Sequence, residues 1–344
     1  MRTREIIATI AVAGAVATFA LLNINSVQMG KTFLSTPMTD AEREFINFIS
    51  EHQRSYGTKE EYEYRLSLFT DAYNRVKNQD TKASFKLGLN HLADMSDYEY
   101  KRLLGYKAEL KQNKGMRSFA IYQSASAPAS VDWRANNAVT GVKNQGSCGS
   151  CWAFSTTGSV EGAHAIASGN LVSISEQQLV DCAYLSYGNM GCSGGLMDNA
   201  FTYLESNNIE TESAYPYEGV RGTCQYSTTK GQFGVKSFVD VVANSPDQLL
   251  AAAAIGPVSV AIEADKAVFQ LYKSGVMNDT KCGTSLDHGV LLVGYGSENG
   301  QDYWIVKNSW GVTWGEQGYI RLGRDNASGP GICGIQMQAS YPVV

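Results

Sequence analysis

Residues 145–154 read QGSCGSCWAF, and the second cysteine opens a run that continues to Ser168 and stops at Gly169. This pattern predicts a helix from about Cys151 to Ser168, with Ser150 as its cap and Gly169 as its stop. A thiol is a useful nucleophile only as thiolate. A cysteine in the first turn of a helix has that form favoured by the unpaired N–H groups and the dipole there. Cys151 holds this position, whereas Cys148 lies before the helix and is the better candidate for a bridge.

Such a thiol needs a base, for which histidine is the usual residue. C-terminal to the motif only His164 and His288 occur. His164 is 13 residues along the same predicted helix, about 20 Å from Cys151 at the helical rise, too far to serve. His288 begins the run GVLLVGY (289–295), and SENGQ (297–301) reads as a hairpin loop leading into DYWIVK (302–307). Folding the runs back about residue 298 sets 288 opposite 308, within two residues of register. Position 308 is Asn, whose amide can accept the ring N–H of His288 and aim the imidazole at the thiol.

The segments QGSCGSCWAF (145–154), LDHGV (286–290) and KNSWG (307–311) together resemble the three catalytic segments of the papain family, cathepsin L in particular. The resemblance implies an α+β, two-lobed papain-like fold, a helical lobe plus a β-barrel-like lobe, behind a mainly helical N-terminal prodomain. It implies a cysteine endopeptidase that works through an acyl-enzyme at Cys151, His288 and Asn308, with no cofactor or metal. Gln145 is expected to bind the oxyanion with the Cys151 backbone N–H, and Trp310 to shield the His288–Asn308 hydrogen bond. Gly149, Gly194, Gly195, Leu196, Met197, Ala261, Leu286, Asp287 and Gln338 are expected at the substrate cleft. Met197, Ala261 and Leu286 favour Leu, Val or Phe at the second residue before the cut. Gln338 replaces the small Ala of cathepsin L at the pocket's end.

The resemblance also pairs Cys148 with Cys192, Cys182 with Cys224, and Cys282 with Cys333. That leaves Cys151 free, in agreement with the odd count of seven cysteines, all after residue 147. An oxidising address is expected: Arg2 and Arg4 precede an apolar run from Ile6 to Leu22, and Asn23 to Ser26 follow. This order reads as a signal peptide over residues 1–26, the run being short of the ~20 residues a membrane span needs. A soluble monomer in a lysosome-like vacuole or outside the cell is the expectation, without stable membrane association. Asn278-Asp279-Thr280 and Asn326-Ala327-Ser328 are glycosylation acceptors in such a chain.

Between the signal and the motif the chain is free of cysteine and rich in charge. Asp40 reads as a cap before Phe45, Phe48 and Ile49, and Tyr62, Leu66, Phe69, Tyr73 and Val76 mark one face of a longer helix. Glu61, Arg65, Phe69 and Val76, with Ala72 and Asp80 in place of Asn, resemble the long-helix motif of the inhibitory propeptide. Gly88, Asn90 and Asp94 resemble its second motif, with Leu92 where Phe is usual. Residues 27–126 are thus expected to inhibit residues 127–344, across a connector (115–130) rich in Ser and Ala. The net charges are +3 for residues 1–126 and −8 for 127–344, together −5, which favours docking of one part on the other. Release on acidification is expected, through Asp94 and a Glu61–Arg65 pair.

The acidic C-terminal part excludes a nucleic-acid partner. Protein and peptide substrates, and the chain's own propeptide, are the expected partners. The cysteine spacing excludes a zinc site. Read in isolation, Cys148-Gly-Ser-Cys151 also fits a thiol-disulfide oxidoreductase, but that leaves His288 and Asn308 without a role. A non-catalytic binding protein on the same scaffold has no residue in its favour. No long insertion separates Cys182 from Cys224 to close the cleft, so endopeptidase action is expected.

Overall fold

The computed structural model describes residues 37–111, 127–325 and 327–344, in two units divided between Arg54 and Ser55. The signal segment, most of the connector and Asn326 lie outside these residues. The described part of the first unit is built on helix α1 (Asp40–Glu51). Its cap is Thr39, one residue before the expected Asp40. The Thr39 hydroxyl accepts from Glu42 N at 3.2 Å, and the Glu42 carboxylate reaches back to Thr39 N at 2.7 Å. Asp40 instead sits in the first turn, where the helix dipole favours an acid.

In the second unit, α2 (Lys59–Lys77) starts at Thr58 and buries Phe69 and Ala72. Strand β1 (Phe85–Leu87) and the short α3 (Asp97–Lys101) follow. After β2 (Val131–Asp132), α4 (Cys151–Ser168) has the predicted bounds, and Gly169 ends it with φ 75°. Ser150 is the first non-helical residue but makes no side-chain bond to the helix, because its hydroxyl is engaged elsewhere. Nearly every residue of α4 through Gly162 is buried.

Two cores flank this helix. On one side, α5 (Glu176–Cys182) and α6 (Met197–Leu204) pack around Trp152, Val160, Leu179 and Phe201. On the other, Val260, Leu292, Trp304, Val306, Trp314 and Ile320 fill the sheet lobe. Ser155 ties the lobes: its hydroxyl donates to Val290 O at 2.7 Å, and its carbonyl accepts from Ser259 Oγ at 2.9 Å.

The sheet lobe contains β3 (Ser237–Asp240), α7 (Pro246–Ile255), β4 (Val258–Ile262), α8 (Ala267–Gln270), β5 (Tyr272–Met277), β6 (His288–Glu298), β7 (Gln301–Lys307), β8 (Tyr319–Gly323) and β9 (Ala339–Val343). Strand order is β1-β5-β8-β7-β6-β4-β9-β3, with β2 also on β6. The N-terminal β1 thus extends this sheet, antiparallel to β5. Asn299 and Gly300, with φ of 53° and 79°, make the two-residue turn between β6 and β7. A register shift between Leu292 and Gly294 puts Leu291 opposite Lys307. The strand register therefore differs by two residues from a direct 288/308 pairing, and both residues lie beyond the last pair of that ladder. Disulfides join Cys148 to Cys192, Cys182 to Cys224 and Cys282 to Cys333, and Cys151 is free and buried.

Candidate active site

Cys151 stands at the start of α4, His288 at the start of β6 and Asn308 one residue past β7. The N-terminus of a helix from one lobe thus meets two strand ends from the other. His288 Nε2 and Asn308 Oδ1 are 2.8 Å apart, and Asn308 Oδ1 also accepts from Ser309 N at 2.8 Å. With the amide oxygen as acceptor, Nε2 carries the proton and Nδ1 is left as the basic atom. Nδ1 is buried and makes no hydrogen bond. Trp310 lies against the imidazole, centroids 4.8 Å apart and planes at 27°. His164 is stacked on Phe233 at 3.7 Å, far along α4, as a packed histidine.

The thiol sulfur accepts two backbone N–H groups, from Gly289 at 3.4 Å and from Gly105 at 3.2 Å. Burial pushes the Cys151 thiol up to about 11, against those two donors, and pushes His288 down to about 4, against its bond to Asn308. The expectation of a favoured thiolate therefore does not hold in this form. Both groups are fully buried beneath the N-terminal segment, and desolvation outweighs the helix terminus.

That segment runs through the cleft on backbone hydrogen bonds. Gly195 N donates to Gly105 O at 2.8 Å, Lys107 N to Gly195 O at 3.2 Å, and Tyr106 N to Asp287 O at 2.9 Å. Gln145 Nε2 donates to Leu103 O and to Cys148 O, each at 2.8 Å, while its Oε1 accepts from Ser309 Oγ at 2.6 Å. Position 105 has no room for a side chain, since a Cβ there would stand 1.9 Å from Gly149 O. Gly149 N is held by Cys192 O at 3.0 Å, and Gly194 N by Gly191 O at 3.2 Å. Gly195 packs onto Trp152, where a Cβ would meet ring carbon at 2.7 Å.

The Tyr106 ring joins Leu196, Met197 and Ala261 in one buried cluster, with Leu286 packed against it. Beyond it a small cavity is lined by Asp198, Gln338 and Ser340, and Ser340 Oγ donates to Asp198 at 2.7 Å. Tyr106, Leu196 and Met197 line this cavity together with Gln338. Burial lifts Asp287 to about 7, against the Ala264 N–H that its carboxylate accepts at 2.8 Å.

Elsewhere the same segment holds the sheet lobe through Gly88 N to Leu271 O at 2.8 Å and Asn90 Nδ2 to Gln270 O at 2.9 Å. Leu92 is fully buried despite its departure from Phe. Arg65 makes its principal bonds to Glu99, at 2.6 and 2.7 Å, with Glu61 only at 3.9 Å. The expected Glu61–Arg65 pair is present as a long contact, and the closer partner is Glu99, distant in sequence and positioned by Ser96 and Arg65 together. Tyr56 Oη donates to the Asp94 carboxylate at 2.8 Å. Asn278 is exposed at the end of β5 and accepts from Ser84 Oγ at 3.0 Å. Among the described residues no cluster of His, Cys, Asp or Glu could hold a metal.

Leu103, Gly105, Tyr106, Glu99 and Ser309 were not singled out from the sequence. Ser96 with Glu99 is a capping-box signal in the sequence, and the aromatic after a glycine at 105–106 a weaker one.

Residues 127–343 match the papain family cysteine protease model, and residues 45–100 the cathepsin propeptide inhibitor domain. Cathepsin L of Sarcophaga peregrina is 44% identical over 325 residues, which cover 90% of this chain and 95% of that protein. Cysteine protease XCP2 of Arabidopsis thaliana is 47% identical over 305 residues, 87% of this chain and 85% of that one. The solved digestive procathepsin L 3 of Tenebrio molitor larval midgut superposes with TM-score 0.78 at 40% identity, over 89% of this chain and 100% of that chain.

Proposed function

Because this chain belongs to the papain family of cysteine proteases, as a cathepsin L-like zymogen, we propose that Cys151, His288, Asn308 and Gln145 are its peptide-cleaving machinery. Cys151 passes its proton to His288 Nδ1 as its sulfur attacks the scissile carbonyl carbon, and the carbonyl oxygen becomes an oxyanion held by Gln145 Nε2 and the Cys151 backbone N–H. The His288 imidazolium gives its Nδ1 proton to the leaving amine as the C–N bond breaks. Water, deprotonated by Nδ1, then attacks the thioester, releasing the acid and restoring the thiol. Asn308 holds the ring in the tautomer that both transfers need.

One observation carries this reading: a peptide carbonyl, Leu103 O, already rests on Gln145 Nε2 while the N–H of Gly105, two residues on in the same segment, rests on the Cys151 sulfur. A segment so bound occupies the positions of a scissile peptide without presenting one for attack. Residues 27–126 are the inhibitory propeptide and 127–344 the mature enzyme, separated near Ala127. Tyr106 fills the pocket for the second residue before the cut, so hydrophobic side chains are preferred there, with Gln338 at its end. The mature enzyme is an endopeptidase, a monomer of the secretory pathway, delivered to a lysosome-like vacuole or outside the cell. Residues 1–26 serve as its signal peptide, and Asn278 and Asn326 as glycan acceptors.

The test is activity of the processed enzyme on blocked internal peptides, normalised to titrated thiol. Cys151→Ser is expected to abolish it, and Gln145→Ala to lower kcat by about 100-fold, the loss typical of one oxyanion donor. Full activity of either variant would refute the assignment.

A further inference from the structure

The hydroxyl of Tyr217 makes two hydrogen bonds, and they join the two chain segments that carry the oxyanion donors. Its Oη donates to Gln145 O at 2.8 Å and lies 2.6 Å from Ser150 Oγ. A phenol has one proton, which Gln145 O takes, so Ser150 is the donor in the second bond. This accounts for the helix start: Ser150 cannot cap α4, because its hydroxyl is turned to Tyr217.

The ring itself is held in place. It meets Phe154, on the first turn of α4, edge-on at 4.9 Å and 75°, and Tyr217 N donates to Glu212 Oε1 at 3.0 Å. Gln145 is gripped from the other lobe as well, by Ser309 O on its backbone N–H at 2.9 Å and by Ser309 Oγ on its side chain. Ser309 thus fixes the direction of the amide. Tyr217 fixes the separation between the loop bearing Gln145 and the helix start bearing Cys151.

We propose that Tyr217 is a positioning residue of the oxyanion hole, setting the spacing between the Gln145 amide and the Cys151 backbone N–H through its paired bonds to Gln145 O and Ser150 Oγ. The inference rests on the reading of Gln145 as an oxyanion donor. Burial raises the phenol above its ordinary value, so it stays a donor throughout the range in which the thiol works. An oxyanion exists only after attack, so a misplaced hole lowers kcat and leaves substrate binding alone.

The experiment compares processed wild type, Tyr217→Phe, Ser150→Ala, Gln145→Ala and the Tyr217→Phe/Gln145→Ala double variant, with kcat per titrated thiol, KM, a peptide aldehyde's inhibition constant and the thermal midpoint. Tyr217→Phe is expected to lower kcat about tenfold, the effect of one hydrogen bond expressed in the transition state, and to weaken the aldehyde alike with KM unchanged. In the Gln145→Ala background the same change is expected to do little more. A lowered thermal midpoint with unchanged kcat per thiol would mean a merely structural tyrosine and overturn the proposal, as would a full tenfold loss in the Gln145→Ala background. Should Tyr217→Phe fold poorly, Ser150→Ala carries the same comparison. Full activity of Gln145→Ala alone would overturn the donor reading and this one with it, whereas loss there with none in Tyr217→Phe overturns only this one.

Discussion

Replacing Tyr106 by Ala in the inhibitory segment tests how far that segment depends on the hydrophobic pocket. Tyr106 is 5% exposed and packs with Leu196, Met197 and Ala261. A buried tyrosine removes about 200 Å² from water, which at about 25 cal/mol per Å² is an upper bound near 5 kcal/mol. Alanine keeps the Cβ and all three backbone bonds around Gly195 and Asp287, so the expected loss is about 3 kcal/mol, or roughly 100-fold in inhibition constant. The assay supplies residues 27–126 as a separate polypeptide to mature enzyme at neutral pH and measures inhibition of a blocked dipeptide substrate. Tyr98→Ala is the control, since Tyr98 is 75% exposed and its loss should change little. An inhibition constant for Tyr106→Ala within about threefold of wild type, a difference below about 1 kcal/mol, would refute the pocket as the anchor.

Iodoacetamide is expected to label Cys151 rapidly after processing and slowly in the precursor, where the thiol is buried and raised to about 11; equal rates, read by mass spectrometry, would contradict the shielding. For the Arg65–Glu99 pair, the Glu99 carboxyl is lowered from 4.5 to about 2, first by its bond to Arg65 and then by the Ser96 N–H and hydroxyl, with burial opposing. A lowered acid gives stability that is complete above 4.5 and is lost as pH falls through the interval toward 2. Glu99→Gln should therefore lower the precursor's thermal midpoint at pH 7, and the gap to wild type should close toward pH 2. At pH 5 the gap should be nearly full, so this pair alone does not trigger release in a mildly acid compartment. In a peptide library, Leu, Val and Phe should lead at the second position before the cut; Arg ranking above Leu would show that the polar end at Gln338 governs instead.

What the sequence made legible follows from the range of each signal. The helix at Cys151–Ser168 was readable to the residue because Ser150 and Gly169 bracket it locally, and the β6–β7 hairpin because Asn299-Gly300 is a local turn code. The cap at Thr39 was missed although its capping box with Glu42 is a local signal, whereas the Ser150 hydroxyl was illegible because its partner, Tyr217, is a tertiary contact. The two-residue register difference came from the turn, which centres on Asn299-Gly300 and not on residue 298, and one irregularity near Gly294, where a Cβ would strike Val131 O at 2.2 Å, takes back a single residue of it; that neighbour is more than 160 positions away in sequence. Arg65 was paired with Glu61, which it does meet at 3.9 Å, but its shorter bonds go to Glu99, on a separate helix that helical spacing cannot reveal. The path of residues 103–107 was illegible for a different reason: its contacts are mostly backbone N–H and C=O groups, which every residue carries.

The strand Phe85–Leu87 gives activation a structural side effect. Once the N-terminal segment departs, β5 becomes the outermost strand of a sheet, with open N–H and C=O groups that another chain can recruit. The uncovered strand is guarded against this. Lys273 lies on it, and adding a Cβ at Gly88 would strike its side chain at 2.6 Å, while Gly275, at φ 90°, departs from flat β geometry two residues on. A charge and a kink on a six-residue edge are poor templates for self-association. The processed enzyme is therefore expected to lose a strand from its sheet without pairing to another copy, and replacing Lys273 with Val is the change that would expose the hazard.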